Sequence, residues 1–215
     1  MSLSRSILAA AALCSAAACA TAPAPPPAPA LTFAGTADCS ETPDASLAAV
    51  VPVKKFQTSG NLTKTIDAEA PCVTVDGSKR PYALFRLPEG VSVESVQAGG
   101  LFQRTRVFAP EVVMLDADMA PARTFGPEAY QNRGGSWSTF FRAREGEKYV
   151  LVRANPDLIG EGYDFARGQQ EPLPDKASRF VVISMPPTHK DYSYEGMVFV
   201  RIYLSGPAPI PPKQQ

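Results

Sequence analysis

Hydrophobic residues between positions 62 and 204 occur in short apolar or alternating runs that Gly, Pro and Asp separate. Short runs rich in β-branched and aromatic residues, bounded by turn-forming residues, are typical of strands. The pattern predicts strands at 62–66, 72–75, 82–87, 91–96, 112–115, 137–144, 148–154, 180–185 and 197–204. Because no long helical pattern lies between them, we expect an all-β fold, an antiparallel β-sandwich of jelly-roll type with one or two short helical turns.

The run 112–115 is apolar at every position, so both faces of the predicted strand are apolar. A strand of this kind is buried on both faces, whereas a strand with one solvent-exposed face alternates apolar and polar residues. We therefore expect 112–115 to be a central strand. Asp116-Ala117-Asp118 follows it directly, and an Asp side chain at such a position bonds to the nearby backbone and forms a turn.

Alternation along two other predicted strands indicates which side chains face the core. In 137–144 the inward face carries Trp137, Thr139, Phe141 and Ala143, and the outward face carries Ser138, Phe140, Arg142 and Arg144. In 197–204 the inward face carries Val198, Val200, Ile202 and Leu204, and the wetter face carries Met197, Phe199, Arg201 and Tyr203. Both strands are thus predicted to cover the core with one face.

Turn-forming residues predict how the strands connect. The segments 76–78, 88–90 and 145–147 have the composition of hairpin loops between antiparallel neighbours. Thr42-Pro43-Asp44 predicts the start of one or two helical turns that carry Leu47 and Val50 inward. Asn155-Pro156-Asp157 predicts another helix start, which Gly160 ends at once, and 160–176 is then expected to be a long loop.

The N-terminus predicts the compartment. Arg5 precedes an apolar stretch, residues 7–18, that is too short to span a bilayer as a permanent helix and is typical of a signal peptide. Its end, Ala16-Ala17-Ala18-Cys19, resembles a lipobox, in which the Cys is acylated and becomes the new N-terminus. We favour acylation of Cys19 over acylation of Cys14 and over ordinary cleavage after an Ala-x-Ala site. The protein would then be held in the periplasm, on the outer membrane, by a lipid anchor.

The other two cysteines are Cys39 and Cys72. In an oxidising periplasm a disulfide between them is the natural expectation. A reactive or metal-binding pair is the alternative, but neither residue has a CxxC spacing or a nearby His.

Composition divides the chain into four parts. Residues 1–18 are the signal peptide, 19–30 a Pro- and Ala-rich tether, 31–205 the β-sandwich domain and 206–215 a Pro-rich tail. Lys+Arg and Asp+Glu are equal at 21 each, so no net charge attracts nucleic acid, and we expect no nucleic-acid partner.

The sequence contains few of the residues and motifs that catalytic sites use. The chain has one histidine, His189, and neither a G-x-S-x-G nor an H-E-x-x-H motif. Asp116 and Asp118 could form a carboxylate pair for glycoside hydrolysis, but the turn function explains them better. We expect a non-enzymatic protein with no cofactor and no metal.

Aromatic residues that the strand pattern does not place in the core are the better candidates for binding. A sugar stacks on exposed aromatic faces and hydrogen-bonds to polar side chains, so these residues and a neighbouring arginine are candidate ligand contacts. The candidates are Tyr130, Phe140, Arg142, Tyr163, Phe165, Tyr192 and Tyr194.

The segment 107–121, V-F-A-P-E-V-V-M-L-D-A-D-M-A-P, continues to F-G-P-E-A-Y at 125–130. It resembles the central motif of the maltose operon periplasmic protein family, in which S-V-F-A-P, an apolar strand and L-D-x-x-M-x-P are followed by an aromatic turn. The segments 82–88, 149–158 and 195–200 resemble further parts of that family in the same order. The resemblance implies a periplasmic or envelope β-sandwich associated with maltose and maltodextrin uptake, and it supplies no catalytic residues.

Two functional hypotheses follow. The first is a non-enzymatic envelope lipoprotein that is accessory to carbohydrate transport and binds glycan weakly. The second is an interaction module that docks on an envelope protein complex without binding sugar.

Overall fold

The computed structural model describes residues 27–35, 38–165 and 188–206. Within these residues the chain forms fourteen strands and three single 3-10 turns, and no helix there is long and apolar enough to cross a membrane. The strands are β1 (Ala49–Val50), β2 (Ser59–Ile66), β3 (Cys72–Val75), β4 (Ser78–Arg86), β5 (Val93–Leu101), β6 (Arg106–Phe108), β7 (Pro110–Leu115), β8 (Pro121–Phe125), β9 (Gln131–Asn132), β10 (Ser136–Arg142), β11 (Tyr149–Ala154), β12 (Gly162–Phe165), β13 (Thr188–Ser193) and β14 (Gly196–Leu204).

The strands form three sheets, and two of them make a β-sandwich. A six-stranded sheet has the order β1-β4-β11-β7-β8, with β3 also paired to β4, and a five-stranded sheet has the order β2-β14-β5-β10-β9. The third sheet, β12-β13-β6, contacts the five-stranded sheet through β6, which lies against β5 and β14. The predicted all-β sandwich is confirmed.

Side chains from both large sheets fill one main core. The six-stranded sheet contributes Ala83, Phe85, Val112, Met114, Val150 and Val152, and the five-stranded sheet contributes Val96, Ala98, Phe141, Val198, Val200 and Ile202. Burial of this apolar surface is the main stabilising contribution to the fold. The predicted inward faces of 137–144 and 197–204 are confirmed by these positions.

Two residues predicted on the outward faces are buried instead. Phe199 is only 3% exposed, and its partner in β5 is Gly99, which in turn pairs with Ser138 of β10. Ser138 is fully buried and accepts a hydrogen bond from the Gln97 side chain at 3.0 Å. The alternation along one strand carries no information on the neighbouring strands, whose residues here are small enough for the Phe199 ring to be covered. The predicted exposure of Phe199 and Ser138 was therefore wrong.

The strand β7 confirms the predicted central strand. Val112, Val113, Met114 and Leu115 are all buried, and β11 and β8 flank the strand on its two edges. Asp116 then forms the predicted turn, because its Oδ1 accepts hydrogen bonds from the backbone N–H groups of residues 118 and 120, each at 2.9 Å.

One of the three predicted hairpins is confirmed. Asp76 and Gly77, with φ of 51° and 75°, reverse the chain between the antiparallel partners β3 and β4. The loops 88–90 and 145–147 were predicted wrongly, because each carries the chain from one sheet to the other. Turn residues specify that the chain reverses, but packing of the two sheets decides whether the next strand pairs with the last.

The helical turn after Thr42 is shorter than predicted and buries nothing. It is a 3-10 turn, Ala45–Leu47, in which the Asp44 side chain accepts a hydrogen bond from the backbone N–H of Ser46. Leu47 is 45% exposed and Val50 is 43% exposed, so the predicted inward packing of both was wrong. The chain leaves the turn as β1, which pairs with β4, and Val51 is the residue that enters the core.

The helix start at Asn155 is confirmed as the 3-10 turn Pro156–Leu158, in which the Asn155 side chain accepts a hydrogen bond from the backbone N–H of Asp157. The predicted loop 160–176 is wrong in its first part, since Gly162–Phe165 forms β12 and pairs with β13. The rest of that loop, the predicted strand 180–185, the tail 207–215 and Cys19 lie outside the described residues.

A disulfide joins Cys39 to Cys72 with an S–S distance of 2.05 Å, as predicted. It ties the irregular N-terminal segment to the first residue of β3, where Ser40 and Val73 form an isolated parallel bridge.

Residues 27–30, which the composition assigned to the tether, lie against the domain. Thr105 Oγ1 donates to the carbonyl of Pro27 at 2.8 Å, and Arg106 Nη1 donates to the carbonyl of Ala28 at 3.0 Å. The N–H of Ala30 donates to Ser193 Oγ at 2.8 Å. The N-terminal segment therefore joins the domain beside β6 and β13.

Candidate functional site

Four aromatic residues meet where the five-stranded sheet adjoins the three-stranded sheet, and we call them the Trp137 cluster: Tyr130, Trp137, Tyr163 and Tyr192. The ring centroid of Trp137 lies 4.5 Å from that of Tyr163 and 6.4 Å from those of Tyr130 and Tyr192. Three of the seven candidate ligand contacts are thus brought together around a tryptophan that the strand pattern had assigned to the core face.

Three of the other four candidates lie apart from this cluster. Phe140 is 49% exposed on the outward face of β10, where its ring centroid is 5.7 Å from that of Tyr203, and Arg142 is exposed on the same strand. Tyr194 is half-buried, with its ring 6.4 Å from that of Phe33. Phe165 ends β12. The single binding patch predicted from the sequence therefore does not form from all seven residues.

Glycine makes the cluster possible. Trp137 of β10 pairs with Gly100 of β5, and a Cβ added at Gly100 would lie 2.8 Å from the carbonyl oxygen of Phe108 in β6. A side chain at residue 100 would push β6 away, and with it β13, which carries Tyr192. The absence of a Cβ lets the third sheet approach Trp137.

Two members of the cluster form its buried base. Tyr130 and Tyr192 are each buried, and burial raises the pKa of both phenols, that of Tyr192 to about 12. The hydroxyl of Tyr130 accepts a hydrogen bond from the N–H of Val112 at 2.7 Å. These tyrosines contribute to the packing of the core, and their rings pack against Trp137.

Trp137 and Tyr163 are the accessible members, since both are half-buried. Their ring planes are inclined at 43°, so the indole and the phenol form two walls of a shallow apolar surface. Tyr163 lies in β12, opposite Lys190 of β13. Aromatic faces of this kind provide contact area at a low cost in side-chain entropy.

Asn132 lies next to the accessible pair. It pairs with Trp137 across β9 and β10, and directly paired residues project their side chains to the same face of the sheet. Its Oδ1 is buried and has no hydrogen-bond partner among the described residues. An unsatisfied buried acceptor costs free energy, but this oxygen has no exposed surface, so it does not offer a contact to a ligand on the rings.

Neighbouring Arg133 is already engaged. Its Nη1 donates to the carbonyl of Ser138 and its Nη2 to Gln131 Oε1, so the guanidinium organises the loop between β9 and β10. Sequence reasoning overlooked Asn132, because a polar residue in a two-residue strand carries no periodic signal.

His189 lies beside the cluster, on β13. Its Nδ1 is 2.7 Å from Asp164 Oδ1 and its Nε2 is 3.3 Å from Asp191 Oδ1. The hydrogen bond with Asp164, helped by the charges of both carboxylates, raises the pKa of the imidazole. The ring faces Gly162, where an added Cβ would lie 2.1 Å from Nε2.

The carboxylates considered for hydrolysis are engaged in structural contacts. Asp116, one of the two, forms the turn after β7. Two other acids are also paired, since Glu111 lies 3.0 Å from Arg80 and also contacts Arg153, and Glu195 lies 3.4 Å from Arg106. Among the residues that the structure describes, no group of three or more His, Cys, Asp or Glu side chains is arranged to hold a metal ion.

Comparison with known proteins finds no family model that matches the chain and no curated protein that matches it. The resemblance of segment 107–130 to the maltose operon periplasmic protein family therefore rests on the motif itself and stays a prediction.

Proposed function

We propose that the protein is a non-enzymatic envelope lipoprotein that faces the periplasm and binds glycan weakly at the Trp137 cluster. Acylated Cys19 would hold it on the outer membrane, and it would be accessory to the transport of maltose and maltodextrins. The observation that carries the binding proposal is the accessible Trp137–Tyr163 pair, with ring centroids 4.5 Å apart.

The chemistry of this surface suits a sugar. The C–H face of a pyranose packs on an aromatic ring, and Trp137 and Tyr163 present two half-buried rings side by side. The surface is shallow and its two rings are only half-buried, so it would bury little of the ligand. A dissociation constant in the millimolar range is expected. The disulfide and the signal-peptide pattern both support an oxidising compartment.

The single tryptophan gives a direct test, because Trp137 is the only one in the chain. Titration with maltose through maltoheptaose should change its fluorescence in a saturable way and produce matching heat in calorimetry. Replacing Tyr163 with Ala removes one of the two accessible rings and should weaken binding about threefold to tenfold.

Tyr203→Ala is the matched control, since Tyr203 is a half-buried tyrosine that packs with Phe140 away from the cluster, and its binding curve should equal that of the unmodified chain. Absence of both heat and fluorescence change at millimolar maltoheptaose, with folded protein, would refute glycan binding.

A second candidate function is docking on an envelope protein complex, and one turn favours it. Phe56 is 70% exposed at a left-handed φ of 60° and follows the exposed pair Lys54 and Lys55. A large apolar side chain in a strained turn contributes little to folding, and such features are retained at functional sites. The two lysines suit an acidic protein surface.

In-cell photo-crosslinking would test this docking. A photoreactive residue at position 56 of the full chain should capture an envelope protein, and one at position 140, another exposed Phe position, should not. Capture of no neighbour at position 56, or the same neighbours at both, would contradict the docking function.

A further inference from the structure

A cavity of about 300 Å³ opens between the two sheets at the edge opposite the Trp137 cluster. Its walls are mostly apolar, and Lys64 is the one charged residue among those that line it. The lining includes Leu47, Lys64, Thr65, Ala70, Pro71 and Leu84.

The cavity exists because one edge of β4 is covered discontinuously. β3 pairs with β4 as far as Pro81, and β1 pairs with it from Phe85 onward. In the described part of the chain no strand covers this edge from residue 82 to residue 84. The carbonyl of Leu84 instead accepts a hydrogen bond from Lys64 Nζ at 3.1 Å.

Lys64 reaches this gap because it points into the sandwich. It pairs with Val198 across β2 and β14, and Val198 is fully buried in the main core, so both side chains lie on the inner face of the sheet. An inward lysine at a sheet edge places its ammonium group between the two sheets.

The ammonium group of Lys64 has neutral partners only, two backbone carbonyls and the ring of Phe85, whose centroid is 5.6 Å from Nζ. It donates to the carbonyls of Leu84 and of Leu47, the latter at 3.0 Å, and an ammonium group has three hydrogens to donate. No carboxylate of the described residues forms an ion pair with it. Burial lowers the pKa of Lys64, which indicates that the charge lacks full compensation.

We propose that this cavity binds a single-chain amphiphile with an anionic head group, whose head is held by the third N–H of Lys64 and whose chain lies along Leu47, Ala70 and Ala83. An anion would satisfy the remaining hydrogen and compensate the partly buried charge. The half-exposed Leu47 side chain at the opening would be covered by the chain of the ligand. This site is independent of the Trp137 cluster and does not rest on sugar binding.

Calorimetry and NMR with three decyl probes would test the proposal on the full chain. Decanoate and decyl phosphate should bind and shift the methyl signals of Ala70 and Ala83, and decyltrimethylammonium should not bind. If only one of the two anions binds, the head group is identified as a carboxylate or a phosphate. Equal binding of the cation would overturn the proposal, as would the absence of binding by both anions.

Matched variants locate the site. Lys64→Met retains an unbranched stem without the charge and should weaken decanoate binding about tenfold or more, while Lys55→Met, at an exposed turn lysine, should leave it unchanged. Because Lys64→Met also removes the donor to Leu84 and could unfold the chain, Ala70→Leu provides a second test, since it fills the cavity and retains Lys64. Unchanged decanoate binding by folded Ala70→Leu protein would overturn the proposal.

Discussion

The hydroxyl of Tyr130 accepts a hydrogen bond from the backbone N–H of Val112 at 2.7 Å, inside the core. This contact joins the end of the aromatic turn to the central strand β7. The two residues lie within the segment 107–130 that carries the family resemblance. The tyrosine at the end of that segment is therefore explained by packing, and its role as a ligand contact is not needed to account for it.

Replacing Tyr130 with Phe should lower the free energy of unfolding by about 1–3 kcal/mol, because the buried N–H of Val112 would lose its acceptor. Urea denaturation with an unchanged m value is the measurement. Tyr203→Phe is the control, since no hydrogen bond of its hydroxyl is found among the described residues and its removal should change stability by less than about 0.5 kcal/mol. Equal stability of the two variants would contradict the role of the Tyr130–Val112 bond.

Glu147 is a buried carboxylate that holds Arg123 in place. Its side chain is 3% exposed, it lies 2.9 Å from Arg123 Nη2 and it accepts the N–H of Arg144 at 2.8 Å. Glu147→Gln should destabilise the protein by about 3 kcal/mol, because the partly buried guanidinium would be left without its counter-charge. Thermal unfolding measures the change, and exposed Glu145→Gln in the same loop should leave the melting temperature nearly unchanged.

The disulfide between Cys39 and Cys72 should contribute about 3.5 kcal/mol, since it closes a loop with a sequence separation of 33 residues. Reduction, or the double substitution Cys39→Ser and Cys72→Ser, should therefore lower the denaturation midpoint strongly. Denaturation with and without reductant measures the effect, and the double variant should be insensitive to reductant. A midpoint of the unmodified chain that does not respond to reductant would refute the prediction.

Phe56 is a site where a substitution should stabilise the protein. Its φ of 60° is unfavourable for a bulky residue, and its ring is 70% exposed, so little burial is lost when it is removed. Phe56→Gly should raise the free energy of unfolding by about 0.5–1 kcal/mol. Phe140→Gly, at another exposed Phe but in the middle of β10, should lower it by about the same amount. Chemical denaturation measures the free energy of unfolding of both variants. A lower value for Phe56→Gly than for the unmodified chain would contradict strain in the turn.

The pKa of His189 is raised by its hydrogen bond with Asp164 and by the charges of Asp164 and Asp191. The contribution of the imidazolium to the β12–β13 pairing should therefore be fully present below the ordinary pKa of 6.5 and should be lost as the pH rises through the raised value. NMR titration of the single histidine should give a pKa above 6.5 that Asp164→Asn lowers. A pKa at or below 6.5 in the unmodified chain would contradict this arrangement.

Part of the fold follows from local pattern. The uninterrupted apolar run 112–115, the inward face of 197–204 and the Asp76-Gly77 turn each specify a structure that depends on neighbours in the sequence, and each is present as predicted. The Cys39–Cys72 pairing followed from the compartment, since only two cysteines remain after the signal region. These features are local or have few alternatives, which is why they could be read directly.

The candidate site could be predicted only in part. Tyr130, Tyr163 and Tyr192 were singled out as aromatics without a clear place in the core, but their meeting point, Trp137, was assigned to packing alone. Tertiary contacts bring these rings together, because β10 and β13 are far apart in the sequence. The two strands approach each other where Gly100 has no side chain. Phe140 lies apart from these aromatics because it is on the outward face of β10, as the alternation predicted.

The sequence by itself determined the all-β class, the central strand, its acidic turn and the pair of cysteines, because periodicity and turn chemistry act over a few residues. Only the tertiary structure decided which strands share a sheet, where the chain crosses between sheets, that Lys64 faces the core on the edge strand β2, and that Trp137 on β10 meets the third sheet. The physical reason is that strand partners and cavities arise from contacts between distant segments, whose free energy depends on how two complete sheets pack together.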